Sequence, residues 1–294
     1  MATVNEKMTA IANAIRAKSG KSGALSLDAM VTEITNLPSG GGDDGTLKGI
    51  IERTATEVTL PSDLTNIGFY AFQNCRELVS IDLPSGLTNI ASNAFENCYK
   101  LALTSLPRGV TSIGSYAFRN CYELALTSLP SGMRTIASST FQNCSKLALT
   151  SLPSGLMAIG SSAFQYCYKL ALTSLPSGLT SIETYVFQEC DELALTSLPS
   201  GLTKIGSQAF AGCSKLALTS LPSGLTSIGS YAFISCTGLT SITFEGKPTS
   251  TISSNAFNSC TNLLTINAPW AEGEVSGAPW GATNATINYN YTGG

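Results

Sequence analysis

The chain has 294 residues, only 12% of them charged, with a formal net charge of −3 and no histidine. So weak and slightly acidic a charge balance excludes a nucleic-acid partner, which needs a basic stripe. Without histidine there is no Ser-His or Cys-His nucleophile and no His-ligated metal, and the 9 cysteines contain no C-x-x-C pair that would suggest zinc.

In chain order, Met8, Ile11, Ala12 and Ile15 fall at helical spacing, and Gly20 is placed to end that helix. A second helix is predicted after Ser26. Leu25 and Met30 flank its start as a hydrophobic staple, and Met30, Val31 and Ile34 continue its apolar face. Residues 1–38 thus predict an α-helical hairpin too small to bury a core alone. Met8, Ile11, Ile15, Met30, Val31 and Ile34 are expected to dock on the rest of the chain, on a second copy or on another protein. Residues 39–45, rich in glycine, read as a linker. No apolar stretch is long enough to span a bilayer, so membrane insertion is not expected. The first residues lack the apolar region of a secretion signal, which predicts synthesis in the cytoplasm without a signal peptide.

From residue 46 to 268 the sequence is periodic. Cysteines stand at 75, 98, 121, 144, 167, 190, 213, 236 and 260, at intervals of 23 residues with a last interval of 24. Phenylalanine precedes each cysteine by three residues, isoleucine precedes it by eight, and leucine follows it by three. A fixed period over this length means one small unit stacked on itself as a solenoid. The step of three through Phe118, Cys121 and Leu124 predicts a short helical turn facing the core. Leu78, Ile81 and Leu83 include the step of two that marks a strand's buried side. Leu-Pro-Ser-Gly then turns the chain, its glycine tolerating positive φ. The expected fold is nine coils with parallel strands about 4.8 Å apart. Six central units read Leu-Ala-Leu-Thr-Ser-Leu, starting at Leu101, Leu124, Leu147, Leu170, Leu193 and Leu216. Their buried set is shifted, which predicts a bulge or a change of strand path. The cysteine column reads as buried, reduced thiols: stacked side chains run parallel, and nine is odd.

Residues 269–294 break the period. Trp270 and Trp280 are expected to cap the open end of the solenoid, and Ile287, Tyr289 and Tyr291 share one face of a final strand.

The repeat columns, I-x-x-x-A-F-x-x-C-x-x-L-x-x-I-x-L-P from about Glu57 to Ala268, resemble the BspA-type leucine-rich repeat. That resemblance implies a non-enzymatic protein of adhesion and surface interaction. Ile11-Ala-Asn-Ala-Ile-Arg-Ala-Lys-Ser-Gly20 followed by Leu25-Ser-Leu-Asp-Ala-Met30 resembles a module of phage tail and prophage proteins from Gram-positive bacteria. The run after Ala278 is similar to the tail end of phage proteins with these repeats. Together they imply a virion tail protein that meets a host surface glycan or protein. Its hairpin would attach to other virion proteins or form a homo-oligomer. A bacterial cell-surface or secreted adhesin is the alternative.

No catalytic residue, metal ligand or cofactor site is expected. The column Glu77, Lys100, Glu123, Lys146, Lys169, Glu192 and Lys215 predicts cross-coil ion pairs, with Lys146 beside Lys169 as the mismatch. The Thr-Ser pairs of the central units are expected to satisfy one another. Glu183, Glu189, Asp191 and Glu192 read as a solvated acidic edge rather than a cation site. The ligand-binding candidates are tyrosines in two columns: Tyr99, Tyr122 and Tyr168 in one, Tyr116 and Tyr185 in the other.

Overall fold

The computed structural model describes residues 53–60 and 62–293. The hairpin and linker expected over residues 1–45, with Met8, Ile11, Ile15, Met30, Val31 and Ile34, lie outside these residues.

The described chain winds into a parallel β-solenoid of about 10 turns of ~23 residues. Successive coils hydrogen-bond in register, each residue facing its counterpart one period on, as Ile67 faces Ile90 and Ile90 faces Ile113. Between the coils runs one continuous core of Phe, Cys, Leu, Ile and Ala columns. The phenylalanines from Phe72 to Phe257 stack with centroids 5.0–5.8 Å apart and planes within 17° of parallel. Offset stacking of this kind contributes about 0.5–1.5 kcal/mol per pair beyond burial.

Strands occupy two columns, not one. The expected column is formed at the ends: Glu57–Thr59 pairs with Ser80–Asp82, and Ser220–Leu221, Ser241–Phe244, Thr265–Asn267 and Thr286–Asn288 form a second sheet. From the unit starting at Leu101 to that starting at Leu193 it lapses to one backbone bond per coil step, such as Ala125 N to Leu103 O and Ala148 N to Leu126 O. The cause is the shifted pleat. Leu124, Leu126 and Leu129 turn inward, leaving Thr127 and Ser128 consecutively exposed. Two outward residues in succession break a ladder of period two. The other column sits at the isoleucines, where two-residue strands from Asn66–Ile67 to Ser227–Ile228 pair in parallel.

The predicted helical turns are absent among the described residues. The Phe-Cys-Leu segment is a run of separate turns, with Cys121 N bonding Phe118 O and Leu124 N bonding Cys121 O. Alternate amides leave the coil instead: Tyr116, Phe118 and Asn120 donate to Ser138, Thr140 and Gln142 of the next one. Two left-handed residues per coil impose this alternation. One column holds Tyr70, Asn93, Tyr116, Ser139, Ser162, Tyr185, Gln208 and Tyr231; the other runs from Asn74, Asn97, Asn120 and Asn143 through Tyr166, Glu189 and Gly212 to Ser235 and Ser259. Their φ values lie between 53° and 75°, and a helix cannot propagate through them. The glycine of Leu-Pro-Ser-Gly does not take the expected positive φ; a bond such as Leu87 N to Pro84 O closes that turn. Glycine matters instead after the isoleucine, where a Cβ on Gly160 would lie 2.5 Å from Ser138 N.

After Cys260 the ladder continues, Ile266 facing Ile287. Trp270 and Trp280 are both buried, 6.4 Å apart, and flank Phe244 at 5.1 and 5.7 Å. The Trp280 indole donates to Ser276 O at 2.9 Å, whereas the buried indole nitrogen of Trp270 has no partner.

Candidate functional site: an aromatic and amide edge

The turn segment builds one long edge of the solenoid. Residues directly after the cysteines form its outer column: Arg76, Tyr99, Tyr122, Ser145, Tyr168, Asp191 and Ser214. The Arg76 guanidinium lies 5.4 Å from the Tyr99 ring centre, and Tyr99 stacks on Tyr122 at 5.2 Å with planes 20° apart. Tyr122 and Tyr168 remain 43% and 41% exposed. The structure thus brings Tyr99 and Tyr122 together and leaves Tyr168 one coil removed, beyond Ser145. Tyr168 leans on Tyr166 of its own coil at 6.3 Å and 53°. Burial, then the neighbouring Glu189 carboxylate, raises the Tyr168 phenol above its ordinary pKa.

Tyr116 and Tyr185 prove to be left-handed backbone positions as well as surface rings. Arg119 lies 5.3 Å over the Tyr116 ring, and Gln208 donates to the Tyr185 hydroxyl at 3.5 Å. Their column tolerates Asn, Ser, Gln and Tyr alike, so its first constraint is conformation.

Beneath the aromatic column run ladders that single-residue reasoning missed. Asn97, Asn120 and Asn143 each donate to the amide oxygen of the asparagine one coil earlier, at 2.7–2.8 Å. Gln142, Gln165, Gln188 and Gln208 form a second amide chain. Glu96, nearly buried, accepts from Gln73 and Asn93 at 2.7 Å and from Arg119 at 3.2 Å. The recurrence every 23 residues of Asn74 to Asn143 and of Gln142, Gln165 and Gln188 was the available signal; the last step, to Gln208, falls off that period.

The charged column pairs in alternate steps: Lys100 with Glu77, Lys146 with Glu123, and Lys215 with Glu192. All are solvent-facing, so each contributes at most about 1 kcal/mol. The acidic residues around coil 183–192 disperse. Glu183 binds Ser181 and Lys204, Glu192 binds Lys215, and the described residues hold no group of carboxylates fit for a metal ion. Burial and then Asp191 raise the Glu189 carboxyl, and burial and then Glu192 raise that of Asp191. The Thr-Ser pairs do not satisfy one another. Thr127, Ser128, Thr150 and Ser151 are exposed, and no side-chain hydrogen bond joins them among the described residues. An open cleft of about 450 Å³ lies between Lys247–Ile252 and Glu274–Ser276, with Lys247 and Glu274 paired across it at 3.1 Å.

A parallel solenoid with a fixed Phe-x-x-Cys-x-x-Leu core and an irregular polar edge defines a leucine-rich repeat protein. The chain belongs to the family described as BspA type leucine rich repeat region (6 copies), whose pattern matches residues 52–171 and 158–275. Solved structures similar to it include a leucine-rich cell surface protein from Faecalibacterium prausnitzii, with 28% identity over 68% of this chain and 62% of that one and a TM-score of 0.48. The T. pallidum leucine-rich repeat protein shares 33% identity over 55% of this chain and 78% of its own, with a TM-score of 0.49. The pneumococcal vaccine antigen PcpA shares 24% identity over 72% of this chain and 62% of its own, with a TM-score of 0.46. Among curated proteins none matches this chain.

Proposed function

We propose that this chain is a non-enzymatic, surface-presented interaction protein that holds a glycan or protein partner along its turn edge. Residues 1–38 would serve as its attachment or self-association module, and residues 269–294 would close its C-terminal end. The observation that carries this reading is the row of exposed Arg76, half-buried Tyr99 and exposed Tyr122, followed by exposed Tyr168, on a regular ladder. Tyrosine supplies broad, stiff contact area together with a hydroxyl, at little cost in side-chain entropy. The interior offers no competing site, because the cysteines, phenylalanines and leucines of the central coils are sealed. Membership of the BspA-type family, with its adhesive roles, supports presentation at a bacterial cell surface over a place in a virion.

Two measurements test the reading. Antibody labelling of intact producing cells should detect the chain outside; signal confined to phage particles or to lysed cells would overturn the location. Labelled protein should bind partner cells, and the combined Tyr99→Ala, Tyr122→Ala and Tyr168→Ala variant should lose at least tenfold in affinity while its thermal unfolding stays cooperative. Unchanged binding by that variant rejects the edge.

A further inference from the structure

The turn edge already seats cations of its own. Arg119 lies 5.3 Å over the Tyr116 ring and pairs with the Glu96 carboxylate of the coil before it at 3.2 Å. One guanidinium is thus shared between an aromatic face and a carboxylate. Arg76 lies over Tyr99 of the next coil in the same way, 5.4 Å from the ring centre.

Further along the edge the rings and carboxylates recur without a guanidinium. Tyr166 ends the asparagine ladder that runs to Asn143. Its ring and that of Tyr168, 6.3 Å away and tilted by 53°, form a corner rather than a stack. In the next coil Glu189 takes the place of Tyr166, and Asp191 that of Tyr168. Each is the single carboxylate of its column. Bonds from Tyr166 N to Gln188 O and from Glu192 N to Tyr168 O fix the two coils against each other here. Glu77, Glu96, Glu123, Glu183 and Glu192 all hold a basic side chain. Among the described residues, the Glu189 and Asp191 carboxylates have neither an ion pair nor a hydrogen bond. Lys169 acts on Asp191 and Glu192 without an ion pair to either, and Glu192 is bound by Lys215. Three carboxylates, Glu189, Asp191 and Glu192, therefore face two ammonium groups, and the corner keeps an excess of negative charge.

We propose that the corner of Tyr166, Tyr168, Glu189 and Asp191 seats an arginine of a partner protein, as Tyr116 and Glu96 seat Arg119. A planar guanidinium can lie on a ring and bond both carboxylates at once, which a lysine ammonium cannot match. A neutral glycan would leave the excess charge uncompensated, so electrostatic complementarity selects the protein partner. The proposal names the chemistry of that partner for the surface reading above and rests on it.

The test is calorimetric titration of the full chain with a short peptide alternating arginine and glycine and, separately, with its lysine counterpart. The arginine peptide is expected to bind about fivefold tighter or more. Glu189→Gln combined with Asp191→Asn should weaken it about tenfold. Tyr168→Ser should bring it down to the level of the lysine peptide. Asp63→Asn combined with Glu272→Gln removes the same charge from exposed sites near the two ends of the solenoid and should change nothing. None of these side chains is buried, so every variant should keep the native thermal midpoint. Equal binding of the two peptides, unchanged binding by either corner variant, an equal loss in the distant pair, or no binding of either peptide would each overturn the proposal. Whole-cell binding separates this failure from that of the surface reading. If the triple tyrosine variant still loses cell binding but the arginine peptide does not bind, the edge stands and the arginine falls.

Discussion

The thiol of Cys144 donates a hydrogen bond to the backbone oxygen of Phe118, 26 residues earlier, at 3.1 Å. The same bond recurs from Cys98 to Phe72 through to Cys260 and Phe233, at 2.9–3.1 Å. Each phenylalanine oxygen already accepts the amide of the cysteine in its own coil. The thiol therefore ties a coil to the turn of the coil before it. All nine cysteines are free and buried.

This arrangement makes stability fall in alkali. Burial pushes the Cys75 and Cys260 thiols up to about 11 and the inner thiols well above their ordinary value. An unfolded thiol releases its proton near pH ~8.5. Above that pH the unfolded chain binds fewer protons than the folded one, so the contribution is complete below ~8.5 and is lost as pH rises. Each thiol removes about 1.4 kcal/mol per pH unit until its folded pKa is reached. Urea unfolding from pH 7 to 10 should show a midpoint falling steeply above 9; a flat profile would refute the account. Iodoacetamide should modify Cys75 and Cys260 before any inner thiol, as peptide mapping would report.

The phenylalanine stack predicts a large cost at its centre. Phe164 is fully buried between Phe141 and Phe187. Phe164→Ala should lose about 3–5 kcal/mol from the cavity left behind. Chemical denaturation measures it, and a loss under about 1 kcal/mol would mean that the coils slide closed.

Asn120 separates conformation from ladder bonding. It holds φ at 61°, donates to Asn97 and accepts from Asn143. Asn120→Ala should cost about 1–2 kcal/mol in left-handed strain on top of the lost bonds. Asn120→Gly forfeits the bonds but not the conformation, and should be the milder change. Equal losses would place the whole effect in the ladder.

Amide exchange should map the lapse of the first strand column. Ala148 N is bonded to Leu126 O, whereas Thr150 and Ser151 have no backbone bond among the described residues. Thr150 and Ser151 should exchange orders of magnitude faster than Ile242 and Ile266, which lie in a paired ladder. Equal protection would show a continuous sheet.

The sequence made the solenoid legible because Phe, Cys, Leu and Ile each recur at one offset, and a core column needs nothing more. It made the shifted central strands legible through the move of the buried residue from Ile81's place to that of Leu126. The isoleucine strand column was hidden, since two residues are too few to show alternation. The step of three through Phe118, Cys121 and Leu124 imitates a helix because successive three-residue turns have the same spacing. The left-handed columns were masked for another reason: Asn, Tyr, Ser, Gln and Glu fill every position but Gly212, where a run of glycines would have announced them. At the edge, the tyrosine column and its break at Ser145 were visible, but the contact of Arg76 with Tyr99 emerges only from stacking.

The six central coils share one pleat phase, one turn and one core column, while the coils at either end keep the other phase. Any one of the six can therefore be removed or duplicated as a 23-residue block without resetting its neighbours. The length of the arm, and with it the distance between its two ends, can change in steps of one coil. The terminal coils, out of phase with that block, are not exchangeable with it and fix where such growth must stop.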